Sequence, residues 1–171
     1  PTIFNLLGPL TNPAGAEYQL VGTSSDERAR LLASALSVLG CRRAMVVCGN
    51  NELDEVCLWG PTRAYEVAGG RIQERTWTAD DFGLPTCDVR MLRVKSAAQS
   101  ASMVRDAIEG KDCPATNIVL ANSAAALFVA EQEASLTDAV ARIRRVLSEG
   151  KAAAKLQELC DWTSSVAPNT K

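Results

Sequence analysis

The chain has 171 residues, 47% hydrophobic and 22% charged, with 20 acidic against 18 basic side chains and a formal net charge of -2. That length suits one domain with a real core, and the charge balance supplies no basic face for nucleic acid. No stretch approaches the ~20 uninterrupted apolar residues of a membrane-spanning helix, and with no histidine Ser–His or Cys–His catalysis within the chain is excluded.

The opening stretch, Thr2-Ile3-Phe4-Asn5-Leu6-Leu7-Gly8-Pro9-Leu10-Thr11-Asn12-Pro13, sets an apolar turn against a Gly-Pro and an Asn-Pro break. Each proline fixes its own φ and biases the residue before it away from helical geometry. Such a rigid loop suits a hinge, a substrate-lining wall or an ordinary connection. Tyr18 to Val21, ending at Gly22, reads as a strand. Ser24 with Glu27 three residues on reads as a capping box, and Leu31, Leu32, Ala35, Leu36 and Leu39 continue as a helix stopped by Gly40. Ala44 to Cys48 is a buried strand, and strand, helix, strand in that order predicts a parallel pair with a crossover.

A polar loop, Gly49-Asn50-Asn51-Glu52-Leu53-Asp54-Glu55, leads to Val56–Trp59, which reads as a further strand. Arg63–Val67 and Arg71–Trp77 alternate as a hairpin about Gly69-Gly70, and Thr78–Gly83 as a capped single turn. Three helical patterns follow at about 96–109, 116–130 and 135–160. The last is capped by Ser135, carries an apolar stripe of Leu136, Val140, Ile143 and Leu147, and breaks near Gly150. The tail from Val166 reads as frayed.

Six cysteines, Cys41, Cys48, Cys57, Cys87, Cys113 and Cys160, form no Cys-x-x-Cys pair. Several lie in apolar runs, so they read as reduced, structural thiols in a reducing, cytoplasmic compartment. The adjacent acids Asp54 and Glu55 stand where α/β sheets present ligands, beyond a strand's carboxyl end. Read as residues alone they are either a solvated pair or the two carboxylates that Mg²⁺ needs when substrate oxygens and water complete its shell.

The opening string resembles the junction motif of the anthranilate phosphoribosyltransferases of tryptophan biosynthesis. Weaker matches run in the same order along almost the whole chain: Asp54-Glu55, Gly60-Pro61-Thr62, Asp81-Phe82-Gly83-Leu84, Asn122-Ser123-Ala124-Ala125-Ala126-Leu127 and Ser148-Glu149-Gly150-Lys151-Ala152. The resemblance implies an α/β fold of the nucleoside phosphorylase and phosphoribosyltransferase type: a mixed, largely parallel sheet flanked by helices. Residues 1–14 are then a hinge to a helical domain that largely precedes this chain, 15–165 the α/β domain and 166–171 a flexible tail. The motif sits mid-chain in the family, so the chain is expected to be a C-terminal portion that is inactive alone.

The same resemblance implies a Mg²⁺-dependent pentosyltransferase. It would move the phosphoribosyl group of phosphoribosyl pyrophosphate (PRPP) to anthranilate with release of pyrophosphate, as a homodimer when full-length. Asp54 and Glu55 are carried over as Mg²⁺ ligands, and Gly8, Pro9 and Asn12 as substrate-binding residues lining the acceptor's path. No acid–base residue is implied. Asn122 reads as a helix-packing residue or a ligand contact. Three sites depart from the family: Pro1 replaces an arginine that meets the anthranilate carboxylate, Glu52 replaces a glycine and adds a third negative charge beside the acids, and Ala98-Gln99-Ser100 replaces acidic residues and asparagine. Two other readings remain: a pyrimidine-nucleoside phosphorylase relative, and a non-catalytic paralogue serving as a binding domain.

Overall fold

Gly8, Leu10, Thr11 and residues 15–166 are described by the computed structural model; Pro9 and Asn12 lie outside them. The core is a four-stranded sheet in the order β1 (Tyr18–Gly22), β2 (Arg43–Gly49), β3 (Thr62–Ala68) and β4 (Arg71–Trp77). β1 and β2 pair in parallel across the helix α1 (Asp26–Leu39), as the strand–helix–strand order predicts. β2–β3 and β3–β4 are antiparallel, so the sheet is mixed as expected but, among the described strands, mostly antiparallel rather than largely parallel: the crossover helix makes β1–β2 parallel, whereas tight returns make the other two pairings antiparallel. Gly69 and Gly70, at φ 55° and 73°, close the β3–β4 hairpin in a conformation that L side chains resist.

Alternation along the strands sends side chains to two cores. On one face Val21, Ala44, Val46, Cys48, Tyr65 and Val67 meet Ala29, Leu32, Ala33 and Leu36 of α1. On the other, Met45, Val47 and Ala64 meet α3 (Pro114–Val129) and α4 (Leu136–Ser148). Four α3 residues at the contact, Leu120, Ala121, Ala124 and Ala125, are fully buried; three are alanines, which lets the helix backbone lie close to the sheet. The α4 stripe is the one its spacing predicts, and Ser135 Oγ accepts the Asp138 amide at 3.1 Å to cap it. α2 (Ala97–Ile108) packs on α3, and α5 (Lys151–Val166) packs on α4 and α2. Gly150 (φ 70°) marks the expected break between α4 and α5. One buried charge crosses the α3 face. Glu66 is 9% exposed and is gripped by Arg43 at 2.7 Å and Arg75 at 2.6 Å.

Two local expectations fail. The α1 N-cap is Ser25 rather than Ser24, and its side chain makes no capping bond. The Asp26 amide instead donates to Asn51 Oδ1 at 3.0 Å, so a loop from the far side of β2 caps the helix. Val56–Trp59 is not a strand. Its backbone is met largely by side chains: Cys57 N–H donates to Thr62 Oγ1 at 3.1 Å and Val56 is held by Asn122, while Leu58 C=O accepts the Cys87 amide at 3.2 Å. Val56, Cys57 and Leu58 are nonetheless fully buried, and burial is what their apolar run signalled.

Candidate active site

Because β1 and β2 run parallel, their carboxyl ends open on the same side of the sheet. Thr23 N–H reaches Val47 C=O there at 3.0 Å, joining the two exits. The loop leaving β2 folds back at once: Gly49 N–H donates to Leu53 C=O at 2.8 Å and Leu53 N–H returns to Gly49 C=O at 2.9 Å. Asn50 and Asn51 take positive φ, 48° and 55°, which asparagine tolerates better than most residues. Their amides then work locally, Asn51 on the α1 amide above and Asn50 donating to Glu52 Oε1 at 2.9 Å.

This hairpin-like turn carries Asp54 and Glu55 across the ends of the strands. Two glycines make room for it. A Cβ on Gly22 would stand 1.6 Å from the Asp54 carbonyl oxygen, and one on Gly49 would stand 2.5 Å from that of Glu55. Neither distance is compatible with a side chain, so the acids' backbone lies directly on the exits of β1 and β2. Beyond them, Val56 N–H donates to Asn122 Oδ1 at 2.8 Å, and Asn122 Nδ2 donates to Val56 C=O at 3.0 Å and to Ile118 C=O at 3.1 Å.

The backbone is pinned while the two carboxylates are not. Asp54 and Glu55 are both exposed, and among the described residues neither has an ion-pair or hydrogen-bond partner. Glu52 differs. Its Oε1 accepts from Asn50 and from Trp59 Nε1 at 2.8 Å, and those two bonds, Asn50's the larger, hold its carboxyl below the usual range despite some desolvation. The charge that Glu52 adds is therefore tied into bracing the loop.

The donor set fits a hard, partly hydrated cation. Among the described residues no three Cys, Asp or Glu side chains gather into a cage, which argues against a closed structural site. Two exposed carboxylates leave most of an octahedron for water and ligand oxygens, the arrangement Mg²⁺ favours. The two cysteines that flank the loop do not compete: Cys48 and Cys57 are buried, and desolvation pushes the Cys48 thiol up.

The N-terminal stretch is placed differently. Gly8 is exposed and accepts the Thr11 amide at 3.4 Å. Leu10 borders a hollow with Gly15, Ala16, Leu36, Leu39 and Cys41, beside the C-terminal end of α1. The 14-residue α1 spans ~20 Å at 1.5 Å per residue, and no described contact joins Gly8 to Asp54 or Glu55. Two contributors to the site were not visible as such in the sequence, Gly22 and Asn122. A glycine at a strand end and an amide flanking the alanine-rich stretch of a helix were the signals available.

The glycosyl transferase family's a/b domain matches residues 1–153. Proteins named anthranilate phosphoribosyltransferase are similar. The one from Thioalkalivibrio sulfidiphilus is 42% identical over 164 residues, covering 96% of this chain and 48% of the relative. That from Chromobacterium violaceum is 42% identical over 158 residues, covering 92% and 46%. The crystal structure of the Thermus thermophilus enzyme aligns with a TM-score of 0.81 at 34% identity over 92% of this chain and 46% of its own. A Saccharomyces cerevisiae enzyme in complex with PRPP and Mg has the same fold, with a TM-score of 0.85 at 22% identity over 97% and 48%. The chain thus spans about half the length of the curated relatives it matches.

Proposed function

The chain belongs to the glycosyl transferase family as its a/b domain, and from that premise we propose that it forms part of an anthranilate phosphoribosyltransferase. The reaction on this reading is attack by the amine of anthranilate on C1 of the PRPP ribose, with pyrophosphate leaving. The relatives' names support it over the nucleoside phosphorylase alternative. The single observation that carries it to the site is the exposed Asp54–Glu55 pair, without a partner among the described residues and seated by Gly22 and Gly49 across the carboxyl ends of two parallel strands.

The two carboxylates act as acceptors for a cation and not as acid or base. When bound, Mg²⁺ supplies positive charge beside the departing pyrophosphate. The chain's own contribution is placement: a loop whose backbone is hydrogen-bonded at Gly49, Leu53 and Val56 presents both acids with little reorganisation, which is how fixed electrostatics contribute most. An aromatic amine needs no strong base, in keeping with a chain that lacks histidine. Gly8, Pro9 and Asn12 are proposed on the resemblance as a wall of the acceptor's path. A cytoplasmic homodimer, and inactivity of these 171 residues by themselves, follow from the same resemblance.

The test is a magnesium titration of the full-length enzyme carrying Asp54→Asn with Glu55→Gln. Loss of mere supporting partners of a metal ligand already costs about 10–100-fold in affinity or activity, so the activation midpoint should rise by at least about tenfold. A titration superimposable on the parent's would remove both acids from the mechanism.

A further inference from the structure

We propose that Asn122 is a positioning residue for Glu55, setting the direction of a carboxylate that no side chain tethers among the described residues; this rests on the metal reading above. The peptide plane between Glu55 and Val56 is gripped from two sides. Its carbonyl, that of Glu55, fits against the space left by the missing Cβ of Gly49. Its N–H, that of Val56, donates to Asn122 Oδ1 at 2.8 Å. The next plane is held as well, by Asn122 Nδ2 on Val56 C=O at 3.0 Å.

One amide side chain thus bonds both polar groups of a single residue, as a neighbouring strand would. With both adjoining planes held, rotation of the backbone about Val56 is restricted, and so is the exit of the Glu55 side chain. The second hydrogen of Asn122 Nδ2 goes to Ile118 C=O at 3.1 Å, so the side chain has no freedom to swing. Its base is firm, because Leu120, Ala121, Ala124 and Ala125 of the same helix are fully buried. Glu55 is exposed and without a side-chain partner among the described residues. Its approach to a cation is therefore inherited from the backbone, and the backbone is inherited from Asn122.

A helix-packing role for Asn122 would make a different prediction: its loss would lower stability without acting through Glu55. A double-mutant cycle separates the two. Mn²⁺ serves as the probe, its binding to the full-length enzyme read by electron paramagnetic resonance for the parent, Asn122→Ala, Glu55→Gln and the double variant, beside exchange of the Val56 amide proton. Asn122→Ala should weaken Mn²⁺ binding by roughly tenfold and speed Val56 exchange. In the Glu55→Gln background it should change Mn²⁺ affinity no further.

An equal loss in both backgrounds, or a lowered melting temperature with unchanged Mn²⁺ affinity, overturns the proposal. If Glu55→Gln weakens Mn²⁺ and Asn122→Ala does not, the positioning role alone falls. If Glu55→Gln itself leaves Mn²⁺ binding unchanged, the metal reading falls and takes this inference with it. Should Asn122→Ala not fold, Asn122→Asp keeps the acceptor for Val56 N–H while losing both donors, and the same cycle decides with it.

Discussion

Gly22 is the residue on which the site's geometry is most exposed to a small change. One methyl group there would occupy the place of the Asp54 carbonyl, 1.6 Å away, and a backbone atom cannot swing aside as a flexible side chain can. Gly22→Ala should therefore cost about 1–3 kcal/mol, the usual range for overpacking, read as a fall in unfolding free energy. The same variant should weaken metal activation, because the loop must lift. A Gly22→Ala protein of parental stability and metal dependence would show that the loop does not rest on β1. At this scale the sequence was half legible. Asp54 and Glu55 could be picked out by position, whereas what holds them could not. Nothing in the letters Gly22 or Asn122 says which segment, thirty or more positions away, will lie against them.

Among the elements, α1 and the sheet share a polar contact set within an apolar layer, beside a surface ion pair of Arg30 with Glu74 of β4 at 3.4 Å. Tyr65 of β3 donates its hydroxyl to Asp26 Oδ1 at 2.6 Å, and Arg30 lies 5.3 Å over its ring. Burial first, and then the bond to Asp26, push the Tyr65 phenol up to about 12, from an ordinary value of 10.0. A proton held more tightly in the folded state stabilises the fold below the unfolded value, and that contribution is lost as pH rises through the folded one. The parent should therefore lose about 2–3 kcal/mol of stability between pH 10 and 12 that Tyr65→Phe does not lose, at 1.36 kcal/mol per pKa unit. Denaturant midpoints across that window check it, and parallel curves for the two proteins would contradict it. The helices were legible here because their 3/4 apolar spacing survives any tertiary context, and so was the Gly-Gly hairpin. The α1 cap and Val56–Trp59 were not. In both, a side chain distant in sequence, Asn51 or Asn122, satisfies the backbone groups that a local reading assigns to Ser24 or to a ladder.

For the molecule as a whole, a helix-covered sheet with its parallel exits on one side concentrates the acids at one end and leaves the other end to Leu10 and the close of α1. The apolar side chains of α5 remain uncovered among the described residues: Leu156, Leu159, Trp162 and Val166 are each more than a third exposed and share one helical face. Fold class and family could be read from ordered short matches, since each fixes a local backbone shape and their sequence fixes the order of elements. Gly8, Pro9 and Asn12 could not be tied to the acids by sequence, because nothing in those letters says what the stretch faces, and Gly8 and Leu10 are helical where a Gly-Pro break predicts an irregular loop, a proline being tolerated in a helix's first turn. The most direct measurement is anomalous diffraction at the manganese edge from crystals of the full-length protein grown with PRPP and Mn²⁺. A peak within coordinating distance of the Asp54 and Glu55 carboxylates is the predicted result. A well-occupied peak held by other residues, with both carboxylates left to solvent, would contradict it.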